Sequence, residues 1–94
     1  MFDFKNDFIK ENTDIETSLF GKKIILKNVF FYDGPITLQY LPYGGIQAIF
    51  YNVMIINTRD GFIGTKEVEY DGLIYSVSEF SFLFNNLVNQ VFPK

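Results

Sequence analysis

Three Asp-Gly pairs, Asp33-Gly34, Asp60-Gly61 and Asp71-Gly72, interrupt runs of β-branched and aromatic residues. A two-residue turn between twisted antiparallel strands needs positive φ at its central positions, and Asp followed by Gly adopts it at little cost. The chain is thereby committed to hairpins. Around the last pair, Glu67-Val68-Glu69-Tyr70 and Leu73-Ile74-Tyr75 predict two short antiparallel strands. Ser76-Val77-Ser78-Glu79 follows with the spacing of a helix capping box, so a helix should leave the sheet there.

Upstream, Lys23 to Phe31 reads as a first long strand, too continuously apolar for one exposed face. Ile36-Thr37-Leu38-Gln39-Tyr40 alternates and predicts a half-buried strand. Leu41-Pro42-Tyr43-Gly44-Gly45 breaks it into a loop, and Ile46 to Asn57 and Phe62 to Tyr70 resume the sheet. Asp3 is placed to cap a short N-terminal helix with Phe4 and Phe8 one turn apart. Phe80, Phe84, Leu87, Val88 and Val91 keep one helical stripe as far as Pro93. The expected fold class is α+β: a small antiparallel β-meander, or a partly closed OB-like (oligonucleotide-binding type) barrel, of five to six strands. A short N-terminal helix and a C-terminal amphipathic helix flank it. Ninety-four residues predict a single domain over 1–94, and a hydrophobic content of 48% is enough for its core.

The chain has neither Cys nor His. Thiolate nucleophiles, structural zinc and imidazole bases are thereby excluded, and any metal site would need carboxylates suited to magnesium or calcium. No calcium loop or phosphate-binding glycine pattern is present, so neither a cofactor nor a catalytic residue is expected. No apolar run approaches the ~20 residues of a membrane span, and Asp3 and Asp7 stand where a signal peptide would carry lysine. The expected location is cytoplasmic.

A net charge of −3 disfavours nucleic acid and favours a basic protein surface, although such a charge also serves simple solubility. Glu67 and Glu69 are two apart on a strand and project from one face, with Asp71 close by. They are candidates for partner contact, against the plain alternative of a solvated outer face. Tyr40 and Tyr43 flank the irregular loop and are the aromatic candidates for the same role. Lys22, Lys23 and Lys27 form a candidate phosphate-contacting patch, or else protect a sheet edge.

From about Gly21 to Phe80 the chain resembles the C-terminal domain of methionyl-tRNA formyltransferases. The likeness rests on Gly21-Lys22-Lys23-Ile24 opening a strand, then Thr58-Arg59-Asp60-Gly61, Lys66-Glu67-Val68, Gly72, and Ser76 ahead of Glu79-Phe80. It implies an OB-like, non-catalytic module that helps hold the tRNA acceptor arm, with Lys22, Lys23 and Lys27 on phosphate. The acidic balance and the absence of the catalytic formyltransferase domain depart from that family.

The leading expectation is a non-catalytic small acidic protein that occupies a protein partner's surface. Inhibitors, immunity proteins and phage anti-defence accessory proteins share this profile. In a nucleic-acid-mimicking form, Asp14 and Glu16 together with Glu67, Glu69 and Asp71 would imitate phosphates. RNA binding is the alternative. An enzyme limited to carboxylates and a divalent metal, and a homo-oligomer covering an aromatic sheet, are the further possibilities.

Overall fold

A computed structural model describes residues 1–36 and 39–94. Its described residues form eight strands and one helix. The strands are β1 (Ile15–Leu19), β2 (Lys22–Lys27), β3 (Phe30–Phe31), β4 (Ile46–Phe50), β5 (Val53–Thr58), β6 (Gly61–Thr65), β7 (Glu67–Tyr70) and β8 (Leu73–Ser76); the helix is α1 (Val77–Leu83). All pairing is antiparallel, in two four-stranded sheets of order β1-β2-β7-β8 and β3-β6-β5-β4. The α+β class and the meander of hairpins are as the sequence implies. No helix among the described residues is long and apolar enough to cross a membrane.

The two sheets are one ladder folded over. Lys27 pairs with Glu67 and Phe30 with Gly64, so register is unchanged across the gap between β2–β3 and β6–β7. Both segments of this ladder bend together, at Asn28 (φ 46°) and at Lys66. The buried Thr65 hydroxyl holds the corner, its one proton lying between the Lys27 carbonyl at 2.6 Å and the Glu67 carbonyl at 2.9 Å. Alternation then sends Ile24, Leu26, Val68 and Tyr70 inward from one sheet, and Met54, Ile56 and Ile63 inward from the other. Phe80 from α1 fills the space between, edge-on to Tyr70 at 5.2 Å.

Several expectations need correction. The strand count exceeds five to six, because Ile15–Leu19 is a strand and the two long runs each break at the corner. The N-terminal helix is a single turn: Asp3 does cap it, accepting from the Lys5 N–H, but Phe4 is buried while Phe8 is exposed beneath Arg59. The C-terminal helix stops at Leu83, since the backbone of residues 89–92 bonds to the edge of β4 and the loop before it. The predicted strand over 36–40 falls on Thr37 and Leu38, outside the described residues, and Ile36, Gln39 and Tyr40 are not in a strand. Asp71-Gly72 makes the expected turn with positive φ at both residues, as does Phe20-Gly21. Asp33-Gly34 lies in a loop without positive φ.

Candidate partner-binding face

Cross-strand register assembles the outer face of the first sheet residue by residue. Glu16 lies opposite Ile25, Ile25 opposite Glu69, and Glu69 opposite Ile74, giving one row across all four strands. A neighbouring row runs Lys27, Glu67, Ser76. The third carries Ser18 opposite Lys23, with the Asp71 N–H bonded to the Lys23 carbonyl. Lys23 and Lys27, read as a patch separate from the carboxylates, are thus interleaved with Glu16, Glu67 and Glu69 on adjacent strands of one face, whereas Lys22, opposite Leu19 at the end of β2, falls by alternation on the other side.

Ion pairing sorts them. Lys22 Nζ is 3.0 Å from Asp71, and Lys27 Nζ turns to the β1 side, away from its cross-strand neighbour Glu67, to meet Asp14 at 2.9 Å. Each lysine's pKa is raised by that hydrogen bond to its carboxylate. Exposed pairs of this kind add little stability, but they occupy two of the three lysines and Asp71. The carboxylates of Glu16, Glu67 and Glu69 have no hydrogen-bond or ion-pair partner among the described residues, and they alternate with Ile25 and Ile74. Lys23 is the single cation of this face outside an ion pair there. Among the described residues no three acidic side chains converge as a metal site.

Asp14 also accepts the Asn28 N–H at 3.0 Å, and this bond, followed by that from Lys27, holds its pKa below the ordinary 3.8. A lowered carboxylate pKa stabilises the fold above 3.8 and ceases to do so as pH falls through the folded-state value. The Asp14→Asn variant should therefore be less stable than the wild-type chain at neutral pH, with the gap closing below pH 3.8. Urea denaturation across that range checks it; a gap independent of pH would show that the charge of Asp14 is not what stabilises the corner.

Tyr40 and Tyr43 lie elsewhere. Tyr40 is fully exposed, whereas Tyr43 shares a shallow apolar depression with Lys5, Leu41 and Pro42. Among the described residues, no hydrogen bond or common depression joins either tyrosine to Glu67, Glu69 or Asp71. Gly44 and Gly45, taken with them as a binding loop, are buried. The Gly44 N–H bonds to Asn57 and its carbonyl accepts from Phe92, so this half of the loop packs against its own domain.

Sequence reasoning passed over two exposed features. Leu73 and Ile74 in β8 are 62% and 59% exposed. Phe50 and Tyr51 stand edge-to-face at 4.6 Å on the β4–β5 turn, with Tyr51 at a positive φ of 54°. Neither carries a compositional signal, because apolar residues in strands are expected to be buried. No protein family, curated protein or solved structure matches this chain.

Proposed function

We propose that this chain is a non-catalytic, small acidic binding protein that acts by occupying a protein partner's surface. The carrying observation is the row Glu16–Ile25–Glu69–Ile74 with Glu67 beside it. Its carboxylates have no partner among the described residues, and its apolar members alternate with them, Ile74 being outermost. Such a face complements a surface that offers cations around an apolar centre, since charge supplies steering and register while apolar burial supplies affinity. A cytoplasmic inhibitor, immunity or anti-defence role fits it, including one against a protein that normally grips nucleic acid. Asp71 serves less directly here, through its pair with Lys22, and Tyr40 and Tyr43 would belong to a separate contact.

The test is capture from host lysate with and without nuclease, comparing the wild-type chain with the Glu67→Lys/Glu69→Lys variant. A protein retained after nuclease, and bound at least about tenfold more weakly by the variant, is the expected result, a difference of about 1.4 kcal/mol. Capture unaffected by the charge reversal would overturn the assignment of this face. The alternative reading, an RNA-holding module like the formyltransferase C-terminal domain, draws on the corner depression that Lys27 and Lys66 share with Phe30, a cation–aromatic mixture. It requires recovery of RNA that is lost at raised salt and on changing Lys22, Lys23 and Lys27.

A further inference from the structure

Each sheet has two edges, and three of the four edge strands are covered by other parts of the chain. On β1, Phe2 donates to the Glu16 carbonyl and Lys94 to the Ser18 carbonyl. The Phe31 N–H of β3 is taken by the Glu11 carboxylate. On β4, Ile46 exchanges hydrogen bonds with Asn89 and Gln90, and Gln39 brackets Gln47. Bare strand edges invite pairing with another chain, and covering them is the usual defence.

β8 has no such cover among the described residues. Its two-residue turn makes Tyr70 and Leu73 the bonded closing pair, so by antiparallel alternation Glu69 and Ile74 are a non-bonded pair. The Ile74 N–H and C=O therefore point away from β7. The same alternation sends the Ser18 and Glu16 carbonyls outward on β1, where Lys94 and Phe2 meet them. The Ser76 N–H, next along the edge, is satisfied by the Glu79 carboxylate of the capping box. Leu73-Ile74-Tyr75-Ser76 also contains no charge, no proline and no glycine that would discourage a further strand.

We infer that the β8 edge takes an extended segment of the partner protein as an added strand, and that this segment alternates cationic with apolar residues. The inference rests on the partner-binding reading above and names the chemistry of what is bound. A residue placed opposite Ile74 projects onto the outer face, about 10 Å from Glu69, two strand spacings away. A Lys or Arg stem crossing Ile74 bridges that distance with its charged end on the carboxylate. Two residues along, opposite the small Ser76, a second cation reaches Glu67 in the same way. The residues between project to the other side of the sheet, beside Leu73 and Tyr75, where apolar side chains are suited. A second copy fits less well: two-fold pairing about Ile74 would align Glu69 with its own equivalent in one row, between chains of net charge −3.

The probe is a capped peptide of alternating Lys and Val, with a Glu-Val counterpart, titrated into the labelled full chain and followed by amide NMR. Ile74→Pro removes the outward N–H together with the Ile side chain while leaving the bonds to β7, and Ile74→Lys keeps the backbone N–H but adds a repelling charge. The expected result is hydrogen-exchange protection at the Ile74 amide with the Lys-Val peptide alone. Affinity should fall at least about tenfold in both Ile74 variants and in Glu67→Lys/Glu69→Lys, and should weaken with salt. Equal binding of the two peptides, no binding of the Lys-Val peptide, or binding indifferent to both Ile74 variants would overturn the inference. So would a dimer in sedimentation that the Ile74 variants dissolve, because a second copy would then hold the edge. Lysate capture sensitive to Glu67 and Glu69 but unchanged in the Ile74 variants would sink the added strand while leaving the acidic face standing. Capture insensitive to the carboxylates would sink the broader reading.

Discussion

The Phe80→Ala variant should lose about 3–5 kcal/mol of stability, the range for removing a large aromatic side chain from a packed core. Phe80 is fully buried and its ring meets three others: Tyr70 at 5.2 Å, Tyr75 at 5.8 Å and Phe84 at 5.0 Å. The loss has two parts, the transfer of the ring's apolar area and a cavity that a rigid strand face cannot collapse into. Tyr70 is also pinned by its hydroxyl, which donates to the Leu19 carbonyl at 3.0 Å, so it is not free to fill the gap. For a domain of this size the midpoint of thermal unfolding should drop by at least about 12 °C. Phe82, two residues on in α1 and 88% exposed, is the control, and Phe82→Ala should lie within about 0.5 kcal/mol of the wild-type chain. Calorimetry on both variants decides the matter. Equal losses would mean that α1 does not present Phe80 to the core.

Gly44→Ala should be the most damaging of the glycine substitutions, because two penalties fall on one atom. Gly44 has φ of +96°, where a side chain costs about 1–3 kcal/mol of backbone strain. An added Cβ would also run into the Phe92 carbonyl oxygen and press on the Phe4 ring. A backbone carbonyl cannot swing aside as a side chain does. The hydrogen bonds from Gly44 to Asn57 and from Phe92 to Gly44 would have to open together. Gly21 isolates the first penalty, since it has φ of +78° and nothing within 4 Å of its added Cβ. Chemical denaturation of Gly44→Ala and Gly21→Ala should show the former to be worse by more than about 1 kcal/mol. Similar losses would remove the close approach of residue 44 to the C-terminal segment from the account of this fold.

That segment marks where sequence reading failed, and why. Phe80, Phe84, Leu87, Val88 and Val91 do keep a helical period, and Phe80, Leu87 and Phe92 are buried. Period alone cannot register that β4 needs a partner for its outer edge. Ile46 bonds to Gln90 and Asn89, and Gly45 bridges to Val91, so an extended chain there satisfies strand groups that a helix would leave bare. Asn85 and Asn86, poor helix formers, make the exit after Leu83 easy. Ile15–Leu19 carries the apolar–polar alternation of a strand in Ile-Glu-Thr-Ser-Leu, but five residues beside a largely polar stretch were not enough to predict it. The pairing of Lys22 with Asp71 and of Lys27 with Asp14 joins residues 49 and 13 apart, and no local pattern announces it.

By itself, the sequence determined what is local. It set the Asp71-Gly72 turn, the Ser76–Glu79 capping box, the antiparallel character of the strands and the projection of Glu67 and Glu69 from one face. Each of these depends on backbone preference or side-chain reach within a few residues. Only the tertiary structure decided that the ladder between residues 22–31 and 61–70 folds at Asn28 and Lys66 into two sheets, which carboxylates keep their charge free, and which edge stays open. Those outcomes depend on which distant groups satisfy one another, and at β8 no described segment of the chain does so.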